Sequence, residues 1–273
     1  MTKILNGSEL VGYIKERQAR QVRALRQGAH ISPRLVIIKS KTASPVIDTY
    51  LRMKGRYGDD ILIETIVLSL DETDMIEAIT KLNDDPEVHG VMVQLPLDDS
   101  SNTDDILKTI APEKDVDGLG PDARFDSATA KAINWLLAGY AIELKAKKIT
   151  IVGNGRLVGG PLAHMWRESG FDVTVLTRNT EDIASILRQS DVIVTATGVP
   201  HLITSEMIPI GSTVVDAGTA SEDGLIVGDI DETVRARDDL TITPEKGGVG
   251  PLTVAALFDN VITAAQTAGN RLL

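Results

Sequence analysis

The chain has 273 residues, 42% hydrophobic and 25% charged, the composition of an ordinary globular protein with room for two α/β domains. It has no cysteine, which excludes disulfides, thiolate catalysis and Cys-based zinc, and its four histidines show no metal-ligand spacing, so no metal is expected. A net charge of −11 argues against nucleic acid as a partner; no apolar run approaches the ~20 residues of a membrane helix and the first ten residues lack a signal-peptide pattern, so a cytoplasmic protein with no membrane partner is expected.

In chain order, residues 8–27 predict a helix with Val11, Ile14, Val22 and Leu25 on one stripe. Residues 34–38 predict a short buried strand, and the following helix carries Tyr50 and Lys54. A strand is expected over 61–68, then a helix capped by Asp71 or Thr73 and running to about Leu82. The strand expected at 89–93 runs into Pro96, which stops the ladder and leaves Gln94 at a carboxyl end, where open α/β sheets bind ligands. Beyond 121 the rhythm becomes that of a nucleotide fold. Helix 128–139, strand 148–152, a helix to 168, strand 173–176, helix 183–187 and strands 192–194 and 213–216 succeed one another. An apolar-striped helix from 252 to about 267 closes the pattern and is expected to pack back on the first domain. The expected domains are 1–118 with the helix 252–273, and 119–251, joined near 118–124.

Tyr50 and Lys54 stand four apart, so a helix stacks a phenol and an amine on one face. Short-chain dehydrogenases use such a pair after their nucleotide turn; here it precedes the Gly-rich turn by about a hundred residues, which points away from that family. Residues 15–56 hold eleven Lys or Arg and two acids. A solvated face suits Arg17 to Arg26, whereas Lys39, Lys41, Arg52, Lys54 and Arg56 suit either an anionic small molecule or solvent.

Gly153-Asn154-Gly155-Arg156-Leu157-Val158-Gly159-Gly160-Pro161 joins a strand to a helix, with glycines that let a pyrophosphate approach the helix amino terminus. The next strand ends Leu176-Thr177-Arg178 without the acid that reads the ribose of NAD. Arg178 is either a partner for the 2′-phosphate of NADP or an exposed loop arginine. Thr197, at a second strand end, is expected beside the cofactor, and Thr219 is placed in the same set. Lys114-Asp115-Val116-Asp117-Gly118 is either a solvated acidic loop or a grip on a ring with adjacent N–H donors. Gly247-Gly248-Val249-Gly250-Pro251-Leu252-Thr253 is either a connector or a close approach of backbone to a ligand.

In this order, Tyr50-x-x-x-Lys54, Gln94-Leu95-Pro96-Leu97, the run 114–118, the turn 153–161 and the run 247–253 resemble the bifunctional methylenetetrahydrofolate dehydrogenase/cyclohydrolase (FolD-type) family over nearly the whole chain. The resemblance implies two three-layer α/β domains with a cleft between them, folate on the first and NADP on the second, a Rossmann-type domain. It implies oxidation of 5,10-methylenetetrahydrofolate by hydride transfer to NADP, with NAD as the alternative cofactor, then hydrolysis to 10-formyltetrahydrofolate. By similarity, Lys54 is the general acid/base, its pKa lowered toward ~7–8 by Gln94, by the cations Arg52 and Arg56 and by apolar packing. Tyr50 stacks on the folate and Asp117 grips the pterin edge. Gln94, Leu95, Pro96, Gly247, Gly248 and Pro251 complete the substrate set, and Gly153, Asn154, Gly155, Arg178, Thr197 and Thr219 the cofactor set. A homodimer through the nucleotide domain is also implied.

The chain departs from that pattern at four places. Asn154-Gly155 replaces Arg-Ser or Ala-Ser, and Ile47 replaces a serine for which Ser44 or Asp48 could substitute. Ser127-Ala128-Thr129-Ala130 replaces Pro-Cys-Thr-Pro, and Thr243-Pro244-Glu245-Lys246 replaces Thr-Pro-Val-Pro. These leave open a dehydrogenase without hydrolase activity or a non-catalytic folate-binding relative. A nicotinamide enzyme acting on a shikimate-like or amino-acid-like substrate is the reading outside the family.

Overall fold

The computed structural model describes residues 2–222 and 225–270. They form β1 (Lys3–Ile4), α1 (Gly7–Ala24), β2 (Arg34–Ser40), α2 (Pro45–Asp60), β3 (Glu64–Leu70), α3 (Glu72–Asp84), β4 (Gly90–Val93) and α4 (Thr103–Thr109). There follow α5 (Ala128–Gly139), β5 (Ile149–Val152), α6 (Gly159–Glu168), β6 (Val173–Leu176), α7 (Ile183–Leu187), β7 (Val192–Thr195) and β8 (Thr213–Asp216). The chain ends with β9 (Ala220–Glu222), β10 (Leu225–Val227), α8 (Glu232–Arg235), β11 (Thr241–Ile242) and α9 (Val249–Asn270). Residues 271–273 of the helix expected at 252–273 lie outside the described residues. Among the described residues no helix is long and apolar enough to cross a membrane.

The chain divides into two compact α/β units. The first takes Gly12–Ala128 and the chain from Val254 onward; the second takes the residues up to Val11 and Thr129–Thr253.

In the first unit a parallel sheet runs in the order β3-β2-β4. Leu35, Val36, Ile37 and Ile38 of β2 are all buried, because a central parallel strand is covered on both faces and has no solvent side to alternate toward. Val36 and Ile38 pack with Met75, Ile79, Ile106 and Leu107. Strand β3 begins three residues later than the apolar run suggests. Ile61 and Leu62 instead close a turn on α2, with Ile61 N–H donating to Gly58 O at 3.1 Å and Leu62 at φ 65°. Ile61 is apolar because that turn is buried. Helix α9 carries the expected apolar stripe, and a broad one: Ala255, Ala256, Leu257, Phe258, Val261, Ile262 and Ala265 are buried, while Thr263 and Thr267 are exposed on the remaining face. Its Phe258 ring stacks on Tyr57 of α2 at 5.3 Å between centroids.

In the second unit the sheet order is β1-β11-β8-β7-β5-β6, every pairing parallel. The chain steps from β5 outward to β6 and then crosses to β7 on the other side, so the order reverses at β5. The carboxyl end of β5 is therefore the switch point where such sheets bind ligands. Strand β1 pairs with β11, which explains why the residues up to Val11 belong to this unit, although the sequence suggests grouping them with the residues that follow. Two-residue strands carry no period to read.

Candidate active site

Helix α2 starts with Pro45, suited to a first turn, and presents Tyr50 and Lys54 one turn apart on one face. Lys54 is only 7% exposed. Its Nζ donates to Gln94 Oε1 at 2.8 Å and lies 3.3 Å from Met92 Sδ. Gln94 follows directly on β4; its N–H donates to Ile38 O at 2.8 Å and its Nε2 to Leu95 O at 2.9 Å, which fixes the amide with its oxygen toward the amine. Leu95 is half-buried, and Pro96 is exposed beyond a cis peptide.

Burial lowers the Lys54 amine to about 8, with the charge of Asp117 opposing. The neighbouring cations expected to lower it take no part: Arg52 and Arg56 stand two residues away on either side, positions that face away on a helix, and both are exposed. Arg52 instead donates to Thr49 Oγ1 at 2.7 Å. Lys39 and Lys41 are paired with Asp48 and Asp71, so two of the five cations of that cluster are neutralised within the fold.

The two acids of the 114–118 run have separate duties. Asp115 is buried and accepts the N–H groups of Gly118 at 3.0 Å and Gly120 at 2.7 Å, so it shapes its own loop. Asp117 is the one coupled to Lys54; burial raises its carboxyl to about 6, with Lys54 opposing and Asp115 adding to the rise. The loop lies along β4, where Val91 N–H donates to Lys114 O at 2.7 Å. Asn260 of α9 pins it, donating to Val116 O at 2.9 Å and Asp126 O at 3.1 Å. Lys54 and Gln94 thus meet within charge range of Asp117, with Tyr50 half-buried one turn before the lysine and its phenol raised by burial. Ile47, at the departed serine position, is buried, and Asp48 is engaged by Lys39 at 2.6 Å.

In the second unit, the turn after β5 has the geometry of a dinucleotide cradle. Gly153 adopts φ 102°, and a Cβ there would come within 2.5 Å of Ala196 O. A Cβ on Gly159 would lie 1.9 Å from Gly153 O, so Gly159, not position 158, is the glycine that packs α6 against the turn. Gly155 has open space where its side chain would be, which suits the approach of a phosphate. Asn154 is exposed beside it. Thr197 follows β7 and sits against Gly153; Thr219 is exposed, its carbonyl 3.6 Å from where a Cβ of Gly198 would stand. Arg178 is exposed on a turn after β6, closed by Thr180 N–H to Thr177 O at 2.9 Å. The residues present fit a nicotinamide dinucleotide.

Gly247 and Gly248 make their close approach to the chain itself. Ser8 N–H donates to Gly247 O at 3.0 Å, and a Cβ on Gly7 would lie 1.9 Å from Gly248 O. Pro251 sits in the first turn of α9. A Cβ on Gly247 would lie 2.8 Å from Ser8 Oγ and one on Gly248 3.1 Å from Thr243 Cβ, so packing constrains these two glycines, whereas Gly250 has open space around it.

Two family models match the chain: the tetrahydrofolate dehydrogenase/cyclohydrolase catalytic domain over residues 5–117, and its NAD(P)-binding domain over residues 127–269. The chain belongs to the tetrahydrofolate dehydrogenase/cyclohydrolase family. A bifunctional protein FolD of Lactobacillus acidophilus is 35% identical over 285 residues, covering 99% of this chain and 100% of its own. The structure of the FolD methylenetetrahydrofolate dehydrogenase/cyclohydrolase of Campylobacter jejuni superposes with a TM-score of 0.91 at 34% identity, covering 98% of this chain and 99% of that one. A Trypanosoma brucei family member, solved with NADP cofactor and an inhibitor, gives 0.90 at 28% identity, covering 97% and 98%. Sequence reasoning passed over Met92 beside the lysine, and Asp216 and Asp229 behind the nucleotide turn. None of the three stands in a spaced motif that could have flagged it.

Proposed function

We infer that this protein oxidises 5,10-methylenetetrahydrofolate to 5,10-methenyltetrahydrofolate with NADP and hydrolyses that product to 10-formyltetrahydrofolate. The observation that carries the chemistry is the buried Lys54 amine, lowered to about 8 and held by Gln94. A proton-transfer group works best with a pKa near the working pH, and a free lysine at ~10.4 would be almost wholly charged.

In the hydrolytic step neutral Lys54 takes a proton from water as the oxygen bonds to the methenyl carbon. The ammonium so formed hands a proton to N5 as the carbon–N5 bond breaks, and the remaining hydroxyl proton leaves as the formyl carbonyl forms. Gln94 Oε1 accepts from the amine and aims it. Asp117 binds the N–H edge of the pterin, Tyr50 stacks on the ring, and Leu95 and Pro96 line it. A dinucleotide bound in the second unit supplies the hydride acceptor. Gly153, Asn154, Gly155 and Thr197 hold its phosphates and Thr219 borders it. Arg178 pairs with a 2′-phosphate, favouring NADP over NAD. A homodimer working in the cytoplasm extends the same reading.

The test is a paired assay. Purified protein should reduce NADP+ only when methylenetetrahydrofolate is present, and should hydrolyse methenyltetrahydrofolate faster than buffer. Reduction without enzyme-dependent hydrolysis would leave a dehydrogenase alone, and neither activity would reject the reading.

A further inference from the structure

Behind the nucleotide turn lies a carboxylate pair that the chemistry above does not use. Asp216 ends β8, and its Oδ1 accepts from Thr195 Oγ1 at 3.2 Å and from the N–H groups of Gly218 and Asp229 at 3.1 Å each. Its Oδ2 accepts from Arg235 Nη2 at 2.7 Å and from Ile230 N–H at 3.3 Å. Asp229 is 0% exposed and, among the described residues, has no cation of its own. Its Oδ2 accepts from Thr197 N–H at 2.6 Å, while Oδ1, also buried, has no hydrogen-bond partner among the described residues.

Glycines let the two carboxylates come this close to the backbone. A Cβ on Gly218 would lie 2.0 Å from Asp229 Oδ1, and a Cβ on Gly228 would lie 2.0 Å from Asp216 Oδ2. Each acid therefore presses on the glycine that neighbours the other. A buried carboxylate with an unpaired oxygen and a like-charged neighbour is costly to retain, so its position calls for a reason. Thr197 supplies one. The backbone at 196–197 touches Gly153, where an added Cβ would meet Ala196 O at 2.5 Å and Thr197 N at 3.2 Å. Asp229 thus holds the loop against which the first glycine of the cradle is built.

We propose that Asp229 is a positioning residue for the dinucleotide: its bond to Thr197 N–H sets the 196–198 loop, and with it the Gly153 turn, in the binding geometry. Asp216 and Arg235 keep Asp229 in place from behind. The proposal rests on the NADP-binding reading, and touches no group of the Lys54 site.

The experiment measures the Kd of NADP+ by calorimetry, the melting temperature, and methenyltetrahydrofolate hydrolysis assayed without nucleotide, for the full chain and two variants. Asp229→Ala removes the acceptor, and the loss of a charge-assisted bond is expected to raise Kd roughly tenfold or more. Asp229→Asn keeps an acceptor of the same shape and is expected to recover most of that loss. Hydrolysis should stay within about twofold of the parent in both, because the lysine site is untouched. An unchanged Kd in both variants would overturn the proposal. So would hydrolysis falling in parallel with binding in the folded Asn variant, since that is the signature of general destabilisation. If Asp229→Ala does not fold, the decision falls to Asp229→Asn and to Gly218→Ala, whose methyl would push the carboxylate off Thr197. A raised Kd in Gly218→Ala with a near-parent Kd in Asp229→Asn, hydrolysis kept in both, supports the role; an unchanged Kd in Gly218→Ala, or an Asn variant as weak as Gly218→Ala, overturns it. A parent protein that binds neither NADP+ nor NAD+ would reject the cofactor reading and this proposal with it.

Discussion

With the Lys54 pKa near 8 in place of the ~10.4 of a free lysine, burying this amine destabilises the protein at neutral pH by on the order of 3 kcal/mol. The folded pKa lies below the unfolded one, so the unfolded chain binds more protons between about pH 8 and 10.4. Stability contributed through this group therefore rises with pH across that window and is lowest below it. Asp117 works in the opposite sense: its carboxyl, raised to about 6, favours the folded state below the ordinary carboxylate range and loses that contribution as pH rises through 6. Near pH 7 both groups are held at a cost, as expected where chemistry rather than packing selects the residue. Lys54→Met should therefore abolish methenyl hydrolysis while raising the melting temperature by several degrees; calorimetry and the hydrolysis assay together check this. The parent's kcat/KM for hydrolysis should climb about tenfold per pH unit below 8 and level above it, because only the neutral amine accepts the proton. A flat profile from pH 6 to 9 would remove Lys54 as the base. The pairing of Tyr50 with Lys54 was legible from spacing alone. Apolar packing was legible as one cause of the shifted pKa, but what supplies it was not, because burial depends on what β4 and the 114–118 loop bring against α2; the cations at 52 and 56, expected to act with it, face the other way.

At the scale of elements, the central strands and the longer helices were readable because each carries a long apolar pattern. Helix α5 and strand β6 fall where the pattern places them. The missed pieces are short or atypical: β1 and β11 have two residues each, β9 and β10 three, and α4 begins in an acidic run that resembles a loop. Helix α9 was legible as an apolar stripe because the exposed Thr263 and Thr267 mark its opposite face. Its one buried amide shows what it does for the site. Asn260 satisfies the carbonyls of Val116 and Asp126, so Asn260→Leu would strand two acceptors beside the Asp117 loop. That substitution should lower stability by roughly 2–3 kcal/mol, read from urea unfolding. It should also weaken folate binding more than NADP+ binding, because the loop it releases carries Asp117.

For the whole molecule, the order of motifs identified the family better than any single motif did. The two-unit plan followed from the switch in α/β rhythm, and the last helix returns to the first unit as expected; the assignment of the first residues did not follow. The residues up to Val11 join the second unit through a backbone pairing that leaves no mark on side-chain pattern. The division of labour predicts separable activities. Gly159→Ala puts a methyl 1.9 Å from Gly153 O, so it should cripple NADP+ binding and the oxidation while hydrolysis of supplied methenyltetrahydrofolate continues. Loss of both activities in a variant that remains folded would show that hydrolysis depends on the nucleotide turn.

The most direct test is the ionisation of one amine. Lysine-labelled protein, with Lys54 assigned through Lys54→Met, should show its Nζ titrating near pH 8 by NMR. The shift should revert upward when Asp117 and Gln94 are kept but the amine is exposed by opening the packing around it at Met92→Ala. A Lys54 that titrates at ~10 or above in the intact protein, like a solvated lysine, would contradict its role as the proton-transfer group.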